Sequence, residues 1–171
     1  EFRKDQERNT YTIMRHAEAE SNTRNTVSDD VTDTNSLTER GREQAREAGR
    51  KLREKTGKTK IDLIYASDFA RTRETAEIVA AELGLGQESI RYDARLRELA
   101  TGGFHGKTWT EYMENFASRL ERFTKVLPGG ETVQDVKHRA MHFLHEVDKS
   151  EEGKNILIVS HGIVLLALFS G

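Results

Sequence analysis

Four short apolar runs punctuate this chain, Tyr11 to Met14, Ile61 to Ala66, Ser89 to Tyr92 and Asn155 to Val159, and the long segments between them carry their apolar residues at helical spacing. That alternation leaves little choice of architecture. Runs of this length read as strands and the intervening segments as helices. Strands separated by helices cross over to pair in parallel, and a parallel sheet needs helices on both faces. The expected fold is α/β, a single-domain three-layer α/β/α sandwich with a mainly parallel sheet.

The helical segments can be placed individually. Thr38 is the expected N-cap of a helix running to about Lys55, with Ala45, Ala48, Gly49 and Leu52 on one face. Its other positions are dense in Arg, Lys and Glu, and such interleaved signs without aromatic residues describe a solvated surface rather than a nucleic-acid face. A second helix spans about Phe69 to Leu83, with Phe69, Ala76, Val79, Ala80 and Leu83 inward, and Gly84 ends it. Further helices are expected over Trp109 to Thr124, over Thr132 to about Lys149 beyond Pro128-Gly129-Gly130, and after His161. Residues 19–36 form a polar loop rich in Ser, Asn, Thr and Asp, long enough to mark it as functional.

At 171 residues one domain is expected, over residues 11–171, preceded by a charged segment at 1–10 read as disordered. The net charge of −2 offers no bulk attraction to nucleic acid or to an anionic membrane, so the expected partner is a small molecule. The apolar run Ile163 to Phe169 is too short to span a bilayer, and the N-terminus is too charged for a signal peptide. The chain has no cysteine, which excludes disulfides and thiolate chemistry and fits a cytoplasmic, soluble protein.

The six histidines sort into two groups. In the helix after Pro128, the stripe Val133, Val136, Ala140, Phe143, Leu144 and Val147 is buried. At about 100° per residue His138, His142 and His145 fall opposite it, on the surface, and are assigned no metal. His16 and His161 instead follow strands, and His105 lies in the glycine-rich segment Leu96 to Gly106. Strand ends at the carboxyl edge of an α/β sheet are where ligands bind. An imidazole there can act as a nucleophile, and the guanidinium of Arg15 beside it can clamp phosphate.

Arg15-His16-Ala17-Glu18 with Asn22 resembles the Arg-His-Gly-Glu signature of the histidine phosphatase (phosphoglycerate mutase-like) superfamily. The order continues through Leu37-Thr38 with Gly41, Gln44, Ala45 and Gly49, and through Ser67-Asp68-Phe69-Ala70-Arg71-Thr72 with Thr75-Ala76. It continues in Leu96-Arg97-Glu98 with Gly102, Phe104 and Gly106, in Pro128-Gly129-Gly130-Glu131, and in Ser160-His161-Gly162. The resemblance covers residues 11–170. It implies that His16 is the nucleophile, that Arg15, Arg71 and His161 surround the phosphoryl group, and that Glu98 protonates the leaving oxygen, with Glu18 its rival. Fixed cationic donors suit the charge that spreads over the equatorial oxygens in phosphoryl transfer, and two arginines with a protonated histidine would supply them without a metal. Asn22, Gly162 and His105 would be further phosphate or substrate contacts.

The implied activity is hydrolysis of a small phosphorylated metabolite through a phosphohistidine, with no cofactor. The alternatives are a protein-phosphohistidine phosphatase, a phosphoglycerate mutase and a non-catalytic phospho-ligand module. The sequence departs from the family pattern at Ala17, in place of glycine, and at Phe104-His105, where many phosphatases carry Trp and Glu. Family members continue beyond the Ser-His-Gly helix, whereas this sequence stops at Gly171, so the final C-terminal element is expected to be absent. A homodimer through the sheet edge left open would follow.

Overall fold

The computed structural model describes residues 8–55 and 60–170. Along the chain run β1 (Thr10–Arg15), α1 (Glu20–Arg24), α2 (Glu39–Lys55), β2 (Leu63–Ala66), α3 (Ala70–Leu83), β3 (Ile90–Tyr92), α4 (Trp109–Met113), α5 (Val133–Ser150), β4 (Asn155–Ser160) and α6 (Gly162–Phe169). The strands form one sheet in the order β1-β4-β2-β3, each pair parallel. The last strand is thus inserted between the first two, which makes the carboxyl end of β1 and β4 the place where strand order reverses.

The two-residue period of the strands decides which helix each face meets. Leu157 and Val159 of β4, with Ile64 and Ala66 of β2 and Met14 of β1, pack against Ala45, Ala76, Val79 and Ala80 of α2 and α3. The alternate residues Ile156 and Ile158, with Tyr65 and Ile13, meet Phe143 and Val147 of α5 on the other face. Both faces are buried, and each fully buried side chain of this kind contributes about 1.5–3 kcal/mol. No helix among the described residues is long and apolar enough to cross a membrane.

Local sequence explains the helix ends. Thr38 Oγ1 accepts from the Gly41 amide at 3.0 Å, capping α2. Gly41 itself is required by a close approach, because a Cβ there would lie 2.0 Å from the Glu18 carbonyl oxygen. At the far end of α3, Gly84 adopts φ +71° and stops the helix.

Two expectations need correction. The loop at residues 19–36 contains α1, which ends at Asn25 in the left-handed conformation, φ 52°. The helix expected over Trp109 to Thr124 ends at Met113, and a separate 3-10 turn spans Arg119–Phe123. Asn115 is the cause: its side-chain amide donates to the carbonyls of Glu111 and Tyr112, which a continuing helix would need. Phe116 then turns into the core and leaves Leu120 exposed. Of the polar segment at 1–10, residues 1–7 lie outside the described residues; Asn9 is tied to Asp148 and to the Glu151 carbonyl, and Thr10 opens β1.

Candidate active site

Parallel register delivers the central histidines. Arg15 pairs with Ser160 across β1 and β4, so His16 and His161 stand one residue beyond a shared edge, and the His16 amide extends the ladder to the Ser160 carbonyl at 2.9 Å. The two rings sit 5.2 Å apart, centre to centre. Next to them β2 ends at Ala66, its successor Ser67 bonds the Val159 carbonyl, and α3 begins with Ala70, putting Arg71 in its first turn.

His16 is 7% exposed, and its Nδ1–H donates to the Ala17 carbonyl at 2.7 Å. That bond assigns the proton to Nδ1 and leaves the Nε2 lone pair toward Arg71, whose Nε–H donates to it at 3.2 Å. Burial, then the charges of Arg71 and Arg15, lower the imidazole to about 3, with the bond to Ala17 opposing them. His16 is therefore a neutral base at physiological pH, its Nε2 lone pair held by the Arg71 Nε–H.

Arg71 is 4% exposed and held at all three of its nitrogens. Nη1 donates to Ser28 Oγ at 3.1 Å, Nη2 to the Ser28 carbonyl at 2.9 Å, and Nη2 also faces His161 Nδ1 at 3.2 Å. Burial lowers its guanidinium to about 10, which still keeps it charged at neutral pH. Because guanidinium only donates, His161 Nδ1 accepts, and its Nε2–H is left to donate to Ser67 Oγ at 2.9 Å. His161 is fully buried, and burial together with Arg71 and His16 holds its pKa well below the ordinary value. A second cation here would face Arg71 without solvent, which favours the neutral ring in this arrangement.

Glu98 closes the recess from the other side. Its Oε1 accepts from the Leu99 amide at 3.0 Å and from the Ile163 amide of α6 at 3.3 Å. Burial raises its carboxyl above the usual range against the pull of those amides and of Arg71 and Arg15. The segment is held from outside by Arg139 of α5, which donates to the carbonyls of Arg95 at 2.6 Å and Glu98 at 3.1 Å and pairs with Glu131. Glu131 in turn accepts the Ala100 amide at 3.0 Å. Glu18 is committed elsewhere: its Oε1 accepts from Thr38 Oγ1 at 2.7 Å and its Oε2 faces Arg40.

Arg15, Asn22, Glu18 and Gln44 line an open pocket of about 430 Å³ in front of His16. A tighter recess behind it adds Arg71, Glu98 and Trp109. Among the described residues the Arg15 guanidinium makes no hydrogen bond or ion pair. Asn22 Oδ1 accepts the Ala19 amide at 2.8 Å, which leaves its amide N–H groups as donors. Gly162 begins α6 beside Arg15, where a Cβ would lie 4.0 Å from Nε. His105 does not join this group. It is half exposed, it faces Asp29 at 3.3 Å and Asp33 at 3.9 Å, and it lines an adjoining pocket of about 300 Å³ that shares Ser21, Thr26 and Ser28 with the recess.

Sequence reasoning missed Ser28, Ser67 and Arg139. Arg139 leaves a weak signal, a cation beside the buried Val136 and Ala140 on one helix, while Ser67 lies in the block that carries Arg71, and Ser28 in the polar loop at 19–36. Ser28 reaches Arg71 across 43 residues of chain, and no local pattern encodes that.

The buried imidazoles couple stability to pH. Unfolded His16 takes up its proton near 6.5, but in the fold only near about 3. Between these values the unfolded state binds the extra proton, so this contribution is complete above about 6.5 and is lost as pH falls through the window. The urea midpoint is expected to drop between about pH 7.5 and about pH 4.5, and to drop less in His16→Ala. Glu98 acts in the opposite sense, its burial cost easing as pH falls, so the comparison between the two chains isolates His16. Identical pH dependence in both would refute a neutral buried His16.

Comparison with known proteins agrees with this geometry. The profile of the Histidine phosphatase superfamily (branch 1) matches residues 11–171. A relative from Citrobacter koseri named "Probable phosphoglycerate mutase GpmB" is 35% identical over 163 residues, covering 92% of this chain and 72% of that one. Among solved structures, Bacillus stearothermophilus YhfR aligns with a TM-score of 0.77 at 31% identity, covering 94% of this chain and 78% of that one. A mycobacterial glucosyl-3-phosphoglycerate phosphatase aligns at 0.75 with 28% identity, over 91% of this chain and 76% of that one. With an imidazole lone pair held among guanidinium groups at the carboxyl edge of a parallel sheet, and with a family match over nearly its whole length, the chain belongs to the histidine phosphatase superfamily.

Proposed function

We propose that this chain hydrolyses small phosphomonoesters through a phosphohistidine on His16. The observation that carries the reading is His16 itself: Nδ1 is tied to the Ala17 carbonyl, burial keeps the ring neutral, and Nε2 faces the guanidinium that would hold the phosphoryl oxygens. In the first half-reaction Nε2 attacks phosphorus as the ester P–O bond breaks, and protonated Glu98 gives its proton to the departing oxygen. In the second, the Glu98 carboxylate removes a proton from water as that water attacks phosphorus, the P–N bond breaks, and phosphate leaves. Arg71, Arg15 and the Asn22 amide donate to the equatorial oxygens, where the charge accumulates. His161 contributes through Arg71 and gains a reason to take a proton once a dianion is bound.

Hydrolysis is favoured over mutase chemistry by charge. A bisphosphate intermediate needs cations for two phosphoryl groups, but beyond Arg15 and Arg71 the nearby Arg40 faces Glu18 at 3.8 Å. The name of the Citrobacter koseri relative supports the mutase alternative, and the mycobacterial phosphatase supports hydrolysis. The test is turnover of p-nitrophenyl phosphate and a panel of phosphorylated metabolites, with interconversion of phosphoglycerates followed in parallel. Net phosphate release, unaffected by a chelator, is expected; interconversion without release would reverse the assignment. Arg71→Ala is expected to lower kcat by about 10²–10³-fold, the usual cost of losing one preorganised oxyanion donor. Near-normal kcat in that variant would remove Arg71 from the mechanism.

A further inference from the structure

Arg71 is supplied by α3, yet its terminal nitrogens are held by another part of the chain. Nη1 meets Ser28 Oγ and Nη2 the Ser28 carbonyl, both from the loop that follows α1. Ser28 is 5% exposed, and its hydroxyl also accepts from Asn35 Nδ2 at 3.0 Å and donates to Asp33 Oδ2 at 2.8 Å. A hydroxyl offers a single proton and two lone pairs, so Ser28 Oγ is completely used and has one orientation. Asn35 is itself fixed, donating to Ser21 Oγ at 2.8 Å and accepting the Ser21 amide at 2.9 Å, and Ser21 adjoins Asn22 on α1. One residue beyond Ser28, Asp29 Oδ2 accepts both the amide and the hydroxyl of Thr101 at 2.6 Å, binding the same loop to the segment that carries Glu98. The long polar loop therefore joins three parts of the site that lie far apart in sequence.

We infer that Ser28, backed by Asp33 and Asn35, is a positioning residue for Arg71 that sets the guanidinium plane so that its Nε–H faces His16 Nε2, where a bound phosphoryl oxygen takes over that hydrogen bond and frees the lone pair. The physical case rests on geometry. An arginine side chain has several free torsions, and α3 fixes only its Cα. Two contacts on the outer nitrogens from a single residue lock the fork, leaving the Nε edge for the histidine. The carboxylates of Asp33 and Asp29 also favour the charged guanidinium against its burial. This inference rests on the phosphatase reading for its kinetic arm, but it has a binding arm that does not.

The experiment is a double-mutant cycle on the whole chain, with Ser28→Ala, Arg71→Ala and the double variant. The readouts are kcat on p-nitrophenyl phosphate and calorimetric affinity for inorganic phosphate. Ser28→Ala is expected to lower both on the order of tenfold, the scale at which outer partners of a bound group act. In the Arg71→Ala background the same change is expected to add nothing, because the group it positions is gone. Thr32→Ala, in the same loop but bonded only to Asp30, serves as control and should match the parent chain. Equal losses from Ser28→Ala in both backgrounds, or no loss in the parent, would overturn the inference. If Ser28→Ala fails to fold, Asp33→Ala removes the acceptor that orients the hydroxyl and is read by the same cycle. A chain that binds phosphate but never turns over p-nitrophenyl phosphate would defeat the hydrolase reading alone, since phosphate affinity still reports on Ser28.

Discussion

Replacing His16 by alanine is expected to remove turnover of p-nitrophenyl phosphate by a factor of about 10⁴ or more, the scale seen when an enzyme loses its covalent nucleophile. The size follows from what remains. Arg71 keeps its two bonds to Ser28, and Glu98 keeps its backbone amides, so phosphate should still bind. Binding without a nucleophile stabilises ground state and transition state alike and does not raise kcat. The covalent intermediate gives a second readout: base quenching of the parent chain during turnover of labelled substrate should leave acid-labile label on the protein, and His16→Ala should carry none. If the variant retained turnover near the parent rate, water would be attacking phosphorus directly and the covalent mechanism would be wrong.

The second large effect concerns Glu98. Glutamine at this position keeps the size and can still accept from the Leu99 and Ile163 amides, but it cannot donate a carboxyl proton or receive one from water. Loss of a positioned acid or base costs about 10²–10⁴-fold. For an alkyl phosphate, whose alkoxide is a poor leaving group, the first step loses its acid as the second loses its base, so little phosphohistidine should accumulate. For p-nitrophenyl phosphate the phenolate leaves without help, so Glu98→Gln should release a burst of p-nitrophenol equal to the enzyme present and then turn over slowly, limited by attack of water on the phosphohistidine. Equal losses on both substrates with no burst would argue against Glu98 as the acid. Glu18→Gln is the matching control, since the Glu18 carboxylate is occupied by Thr38 and Arg40 and a small effect is expected there.

Interactions between near neighbours in the chain are legible in residue types, and those between distant segments are not. The parallel sheet, the cap at Thr38 and the stop at Gly84 are local: each depends on residue types within a few positions, through side-chain period, a hydroxyl within reach of an amide, or tolerance of positive φ. The helix over Trp109 to Thr124 failed because Asn115 competes for main-chain carbonyls, an effect that composition does not show and that propensity only weakly weighs. His105 is placed by acids that no local pattern reveals, since Asp29 and Asp33 come from a loop more than seventy residues away. Burial beside Arg71 disfavours a charge on His161, a consequence of packing that residue spacing does not encode.

What the sequence determined alone was the sheet with helices on both faces and the placing of His16 and His161 just past strand ends, because period and punctuation act between near neighbours. Only the tertiary structure decided that β4 lies between β1 and β2, that Ser28 bonds the outer nitrogens of Arg71, and that burial pushes the imidazoles down and the Glu98 carboxyl up. Those outcomes depend on exclusion of water and on hydrogen bonds between residues distant along the chain, and neither exists until the whole polypeptide has packed.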